Sequence, residues 1–457
     1  MADLDGKDRE QLHLLKAEGY VVYNKRWLML GIFGTFAMSN YFLWAQYAAI
    51  SDSVAEYYDV SLDTVDWLSI VNLITYVAAI LPVMWLTERC NLKFVLVLGA
   101  FLQCIGAWIR YAGTVKYSIA VNFIGQILCA LGQPCCFGMS SQMAGTWFGI
   151  SEVSLANGIG FAAVEIGVGF SIVISPLVVQ NGPELDSQMK SLFLYTAIVI
   201  TLILPLTILV FEASPPLPPS RPKMNMAAAG KQVQYYLSLK VLFQNRNFLV
   251  ILAANSFNLG FLSLIAFKLN ETVLLAFSED ESSTEIVQYV GMVKIISCIF
   301  GPIAVGIWLD RSRSFRGTTI VTAIMATIAI ACFTLSLYFT EGFLVILSMA
   351  LYWFFAACMI IVVFEYAVEL TYPEPEIMSS GLLNATGYTV ACFMMLLYDV
   401  FLESTNVYIT ITIFCCTLFI AFILTLFIDP TYRRQDADID NFDDSIVSES
   451  DTEITNK

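Results

Sequence analysis

Twelve apolar runs, each about as long as a bilayer is thick, set the terms for this chain. A spanning helix needs roughly 20 mostly apolar residues. Such runs lie near 27–50, 66–87, 94–113, 117–139, 153–179 and 191–211, and again near 248–276, 286–309, 318–339, 343–364, 379–402 and 406–428. Inside lipid the backbone has no water to bond with, so unbroken runs of this length are helices. A large soluble core is excluded by composition: 58% of residues are hydrophobic and 13% charged, against about 25% charged in soluble domains. The expected fold is an all-α membrane protein with twelve transmembrane helices in two pseudo-symmetric six-helix bundles. The bundles cover 27–211 and 248–428, joined by a linker, 212–247, and flanked by a tail, 1–26, and an acidic tail, 429–457.

Charge orients the chain. Lys25, Arg26, Arg89, Lys93, Arg221, Lys223, Lys231, Lys240, Arg246, Arg311, Arg313, Arg316, Arg433 and Arg434 fall on one side of twelve crossings. The opposite loops carry Arg110, Lys116 and Lys190 and are acidic at Asp52, Glu56, Asp59, Asp63, Glu279, Asp280 and Glu281. The positive-inside rule places both termini and the linker in the cytoplasm. The net charge of −15 says little about partners, because the last 22 residues hold eight acids and one lysine. That tail is too polar to bury anything. The linker begins with PPLPPSRP at 215–222, a stiff extended segment, and continues with lysines suited to a membrane surface. No cleavable signal is read in the polar residues 1–26.

The eleven cysteines lie mostly inside apolar runs and are read as small hydrophobes, with no disulfide required. The single histidine, His13, lies in the N-terminal tail, which argues against histidine-based metal, haem or proton chemistry inside the membrane. No cofactor and no metal are expected.

The halves echo each other. WLTERCNLK, 85–93, follows the second run, and GIWLDRSRSF, 306–315, follows the eighth. Glu88-Arg89 and Asp310-Arg311 thus stand 222 positions apart (310 − 88). Parallel repeats place a site at their shared interface near the midplane. G-x-x-x-D-R after the eighth run resembles the loop motif of the major facilitator superfamily. SNYFLWAQY (39–47), VDWLS (65–69), GQILCALGQ (125–133), WFGISEVS (147–154) and FEYAVELTYPEPEIMSSGLLN (364–384) are similar to the feline leukaemia virus subgroup C receptor family. That resemblance covers the whole membrane portion and implies transport of haem, choline or ethanolamine, or of other small organic solutes in an endolysosomal branch.

The first run carries Asn40, Trp44, Gln46 and Tyr47 at mid-membrane. Asn40, Trp44 and Tyr47 recur at i, i+4 and i+7 and share a face. An unpaired amide in hydrocarbon costs several kcal/mol, so this face meets protein or a wet cavity. It is a substrate wall or a helix-packing face. The resemblance implies that Trp44 contacts quaternary ammonium groups. It also places Ser263 where the family has a cage aromatic on the seventh run, and Tyr388 where it has a glutamine. Asn258 and Gly260 match the family, and Asn384 closes its longest motif. Gln126 and Gln133, seven apart on the fourth run, line the cavity or glue helices.

Glu165 interrupts the glycine-rich run ANGIGFAAVEIGVGF, 156–170, at a position where the resemblance puts a glutamine. An acid at a helix centre costs about 2.5–3.5 kcal/mol on insertion scales. Three readings stand. Glu165 neutralises a cationic substrate, binds a proton that couples transport to pH, or pairs with Lys294, a lone base on the eighth run. Glycines 158, 160, 167 and 169 permit close helix contact or bending. Glu88, Arg89, Asp310 and Arg311 are read as gating pairs rather than idle loop charges. Glu365 and Glu369, one turn apart, are candidate partners for those arginines.

The function expected is a secondary transporter or facilitator for a small cationic organic solute, choline or ethanolamine first, by alternating access. Haem transport, a proton-coupled endolysosomal carrier and a non-transporting receptor on the same fold are the alternatives. Neither HExxH nor GxSxG occurs, so an enzyme is not expected. The expected partners are the lipid bilayer and the solute, not nucleic acid. EQLHLL, 10–15, fits an acidic dileucine signal, so Glu10, Leu14 and Leu15 are candidate contacts for trafficking adaptors. The plasma membrane is the favoured location, and an endosomal or lysosomal membrane the alternative. Asn270-Glu271-Thr272 forms a glycosylation sequon near the outer end of the seventh run.

Overall fold

A computed structural model describes residues 21–180, 182–220, 223–224, 235–277 and 281–435. Glu10, His13, Leu14, Leu15, Arg221, Lys231, Glu279, Asp280 and the acidic tail from 436 onward lie outside the described residues.

Eleven helices among the described residues are long and apolar enough to cross a membrane. The first half contributes Lys25–Ala49, Leu62–Arg89, Leu92–Val115, Val153–Val178 and Leu185–Val210. The second half contributes Arg246–Ala276, Glu281–Ser312, Phe315–Tyr338, Gly342–Thr371, Glu376–Ser404 and Val407–Leu426. Among the described residues, four helix starts carry side-chain caps, from Ser61, Asn91, Asn245 and Asn406, whereas Asn24, Ser118 and Ser314 stand at N-cap positions without bonding the first turn. Asn91 accepts from Phe94 N at 2.8 Å and Asn406 from Ile409 N at 2.9 Å, each satisfying one orphan donor of the first turn.

The fourth span departs from the sequence expectation of one helix over 117–139. It is a helix over Ile119–Leu131, an irregular turn, a 3₁₀ turn over Phe137–Met139 and a second helix, Ser140–Trp147. Pro134 supplies no backbone donor and its ring blocks the preceding turn. Local bonds take up the slack, with Cys136 N and Phe137 N both donating to Gln133 O at 3.1 and 3.0 Å. From the other half, the Ser380 hydroxyl donates to Gly138 O at 3.0 Å. Irregular backbone at membrane depth survives only where protein or a cavity surrounds it.

The halves meet along two seams, the fifth span on the eighth and the second on the eleventh. The fifth–eighth seam is close enough to need glycine. A Cβ at Gly158 would lie 2.5 Å from Pro302 O, and one at Gly306 would lie 2.7 Å from Ser154 O. The tenth span is the central post, buried without interruption from Ala356 to Thr371. It runs seven residues beyond the expected end at 364, so the FEYAVEL part of its motif is helix. All eleven cysteines are free thiols. The sequon sits inside the seventh span, with Thr272 buried and bonded to the Tyr398 hydroxyl at 2.8 Å.

Candidate functional site

Aromatic side chains from both halves converge where the fourth span breaks. Tyr41 lies 5.6 Å from Trp44 and 5.9 Å from Phe137, ring centre to ring centre. Tyr388 on the eleventh span packs edge-on against Tyr76 at 4.9 Å, and its hydroxyl is 3.3 Å from that of Tyr41. Phe137 also reaches Phe161 and Phe364, at 5.7 and 6.0 Å. Trp44 meets Phe267 of the seventh span edge-on at 6.0 Å. Ser263, the position matched to the cage aromatic, is one turn from Phe267. An aromatic therefore still faces Trp44 from the seventh span, displaced by four residues. Tyr41, Tyr76, Phe137 and Phe267 were not singled out from sequence. Pro134, inside GQPCCF, is the signal that would have exposed Phe137.

The helices that carry these rings and their neighbours also hold buried polar atoms with no hydrogen-bond partner. Both amide atoms of Gln126, Gln133, Asn258 and Asn384 are buried and unbonded, as are Tyr76 Oη and Glu165 Oε2. Gln133 lies within loose hydrogen-bonding reach of Tyr41, and Asn384 of Tyr76, in a geometry too long or bent for a full bond. Glu165 stands one helical turn after Phe161, which packs on Phe137. Buried amides of this kind can bond a polar ligand or water.

The structure separates residues that the helical spacing had grouped. Trp44 is half-buried, with Nε1 donating to Ser69 O at 3.3 Å, while the Asn40 amide donates to Cys129 O at 3.0 Å on the fourth span. Tyr47 and Gln46 turn away from the aromatic cluster, into the first half. They bond Asn122 and Thr196, and both meet Arg110. Positions 44 and 47 are about 60° apart around a helix, enough for one to face the seam and the other its own bundle. Arg110, expected in an outer loop, is in fact fully buried in the third span.

Glu165 and Lys294 approach each other across the fifth–eighth seam but form no ion pair. The Lys294 ammonium rests over the Trp353 ring instead, 4.7 Å from its centre. Asp310 accepts from Ser154 N at 3.0 Å and Leu155 N at 2.8 Å, the first-turn donors of the fifth span. Arg311 and Arg89 are exposed, and Arg89 lies over Trp85 at 4.6 Å. Glu88 Oε1 is buried without a partner. Glu365 and Glu369 pair with neither arginine. Glu365 accepts from the Asn157 amide at 3.0 Å and has Arg434 at 3.9 Å, while Glu369 accepts from Gln435 N at 3.1 Å. Their basic neighbour follows the twelfth span, and the loop arginines point outward.

Two six-helix halves around a polar, aromatic centre, with no strand among the described residues, define a transporter of the alternating-access type. The family model described as Major Facilitator Superfamily matches residues 28–396. The Homo sapiens choline/ethanolamine transporter FLVCR2 is 30% identical over 440 residues, covering 95% of this chain and 83% of that protein. The Danio rerio choline/ethanolamine transporter flvcr2a is 31% identical over 440 residues, covering 95% and 93%. The Felis catus choline/ethanolamine transporter FLVCR1 is 30% identical over 425 residues, covering 91% and 74%. Among solved structures, the proton:xylose symporter XylE superposes with a TM-score of 0.69 at 12% identity, covering 91% of this chain and 99% of that one. The chain belongs to the major facilitator superfamily and, within it, to the family of FLVCR1 and FLVCR2.

Proposed function

We propose that this multi-pass membrane protein carries a small organic cation, choline or ethanolamine, between two faces of the membrane by alternating access. The observation that carries the reading is the meeting of Trp44, Tyr41, Phe267 and Tyr388 from both halves, with Glu165, whose Oε2 has no hydrogen-bond partner, one turn beyond the Phe161 that packs on Phe137. A desolvated cation over an aromatic face gains about 2 kcal/mol, and a carboxylate nearby adds charge compensation. The unbonded amides of Gln133, Asn258 and Asn384 offer partners for a hydroxyl. The names of the FLVCR1 and FLVCR2 relatives point to the same solutes.

Asp310, Glu365 and Glu369 are assigned to the cytoplasmic gate, where they bind the fifth-span N-terminus, Asn157 and the segment after the twelfth span. Glu88, Arg89 and Arg311 border it. Lys294, held over Trp353, is a spectator of substrate binding on this reading.

The test is uptake of labelled choline and ethanolamine by wild type and Glu165→Gln at external pH 6 and 7.5. Wild-type uptake that falls about tenfold or more in Glu165→Gln at both pH values supports direct contact with the cation. Glutamine-variant uptake that keeps its rate and loses pH dependence identifies a proton site instead. Binding without flux in vesicles would favour a receptor. No movement or binding of either amine ends the reading. Plasma-membrane residence is part of the proposal, and surface biotinylation checks it. Retention in endolysosomes that is relieved by Leu14→Ala with Leu15→Ala would overturn that part.

A further inference from the structure

Arg110 is the most buried cation in the described residues, with 0% of its surface exposed. Its guanidinium forms no ion pair with a carboxylate among them. It is held by neutral groups of the first span. It donates to Gln46 Oε1 at 2.7 Å, to the Tyr47 hydroxyl at 3.2 Å and to Leu43 O at 3.4 Å. Its carbon centre lies 4.5 Å from the Tyr47 ring and 5.1 Å from the Phe193 ring. Space for it depends on Gly125, where a Cβ would come within 2.7 Å of Arg110 Cγ.

An unpaired charge is expensive to bury, so the arrangement calls for a return. The planar fork binds three neighbouring groups at once, which an ammonium cannot do in the same geometry. The three acceptors bracket Trp44 in sequence, and each faces away from the aromatic cluster. The grip then spreads outward. Gln46 donates to Thr196 Oγ1 at 3.2 Å, Tyr47 to Asn122 Oδ1 at 2.8 Å, and Asn122 to the Tyr58 hydroxyl at 2.6 Å. Trp44 itself is only half-buried and has one hydrogen bond, so its placement follows from how the first span is held.

We infer that Arg110 is a positioning residue for Trp44, clamping the outer half of the first span against the third, fourth and sixth. This rests on the proposed role of Trp44 in binding the substrate cation. Arg110→Met removes the clamp while keeping an unbranched apolar chain in place.

The experiment has two arms. In uptake, Arg110→Met raises the KM for choline about tenfold, with kcat and surface amount near wild type, and Arg110→Lys recovers part of the loss. In a Trp44→Leu background, adding Arg110→Met changes KM by less than about twofold, as coupled residues require. In the second arm, protein labelled with 5-fluorotryptophan is studied by fluorine NMR without substrate. The Trp44 line, assigned with Trp44→Phe, moves beyond its width in Arg110→Met, while those of Trp308 and Trp353 stay in place. Equal KM effects with and without Trp44, or an unmoved Trp44 line, overturn the inference. If wild type moves no choline, the solute assignment fails and the fluorine arm alone decides. If Arg110→Met does not fold, Arg110→Lys is read the same way for a smaller displacement.

Discussion

The two seams between the halves are closed differently at the end of the bundle that carries the basic loops. At one, Asp310 accepts from the N–H groups of Ser154 and Leu155 and caps the fifth span from the opposite half. Its repeat-related counterpart is Glu88, and the counterpart of Ser154 is Glu376, since 310 − 88 and 376 − 154 are both 222. By symmetry Glu88 would cap the eleventh span, yet it bonds nothing there, and Glu374 lies beside it. Glu376 already puts a negative charge in its own first turn, where the helix dipole favours one. It recruits Lys223 from the linker at 2.9 Å instead. One serine-to-glutamate difference between the repeats thus replaces a direct clasp between halves with one that runs through the linker.

Three single substitutions and one double variant sharpen or break that comparison. Lys223→Ala has the largest expected effect, because it leaves the buried Glu376 carboxylate without its direct partner. Losing one member of a buried pair costs about 3 kcal/mol or more, read as a fall in thermal stability in detergent and a loss of uptake. Lys223→Ala with Glu376→Gln recovers most of the stability. Asp310→Ala comes next. On the proposed gating role it removes two charge-assisted bonds that hold the halves together, about 2 kcal/mol in total once solvent screening at this part-buried carboxylate is counted. The measurement is modification of a cysteine placed between the halves at the end that carries the basic loops, which becomes faster by at least about tenfold. Glu88→Gln is the smallest, within about 0.5 kcal/mol in stability and with near-normal uptake. If Glu88→Gln opens the gate as much as Asp310→Ala, the two seams are equivalent and the asymmetry described above is wrong.

Several features were legible in sequence because they depend on local physics. Apolar length marked the spans, and the copies of the charged loop marked the repeat. The residues of the longest shared motif marked the family. What failed depended on a third dimension. Arg110 looked like a loop charge because it stands near the end of an apolar run, and nothing local announces that Tyr47, Gln46 and Leu43 will surround it. Tyr47 shares a helical stripe with Trp44, yet a 60° offset was enough to send it into another cluster. Ser263 stands at the matched cage position, and Phe267, one turn away, reaches Trp44, which a comparison of single positions does not show.

The sequence by itself determined that this chain crosses a membrane as two related six-helix halves, because hydrocarbon tolerates only internally bonded backbone and long apolar side chains. It also determined that an acid, Glu165, would stand deep in the fifth span. Only the tertiary structure decided which groups meet there. It placed Phe137 at the site by breaking the fourth span at Pro134, and it held Lys294 over Trp353 rather than on Glu165. It also turned Glu365 and Glu369 toward the segment after the twelfth span. Those choices depend on how helices from distant parts of the chain pack and which buried polar groups they bring within bonding range, and no run of neighbouring residues encodes that alone.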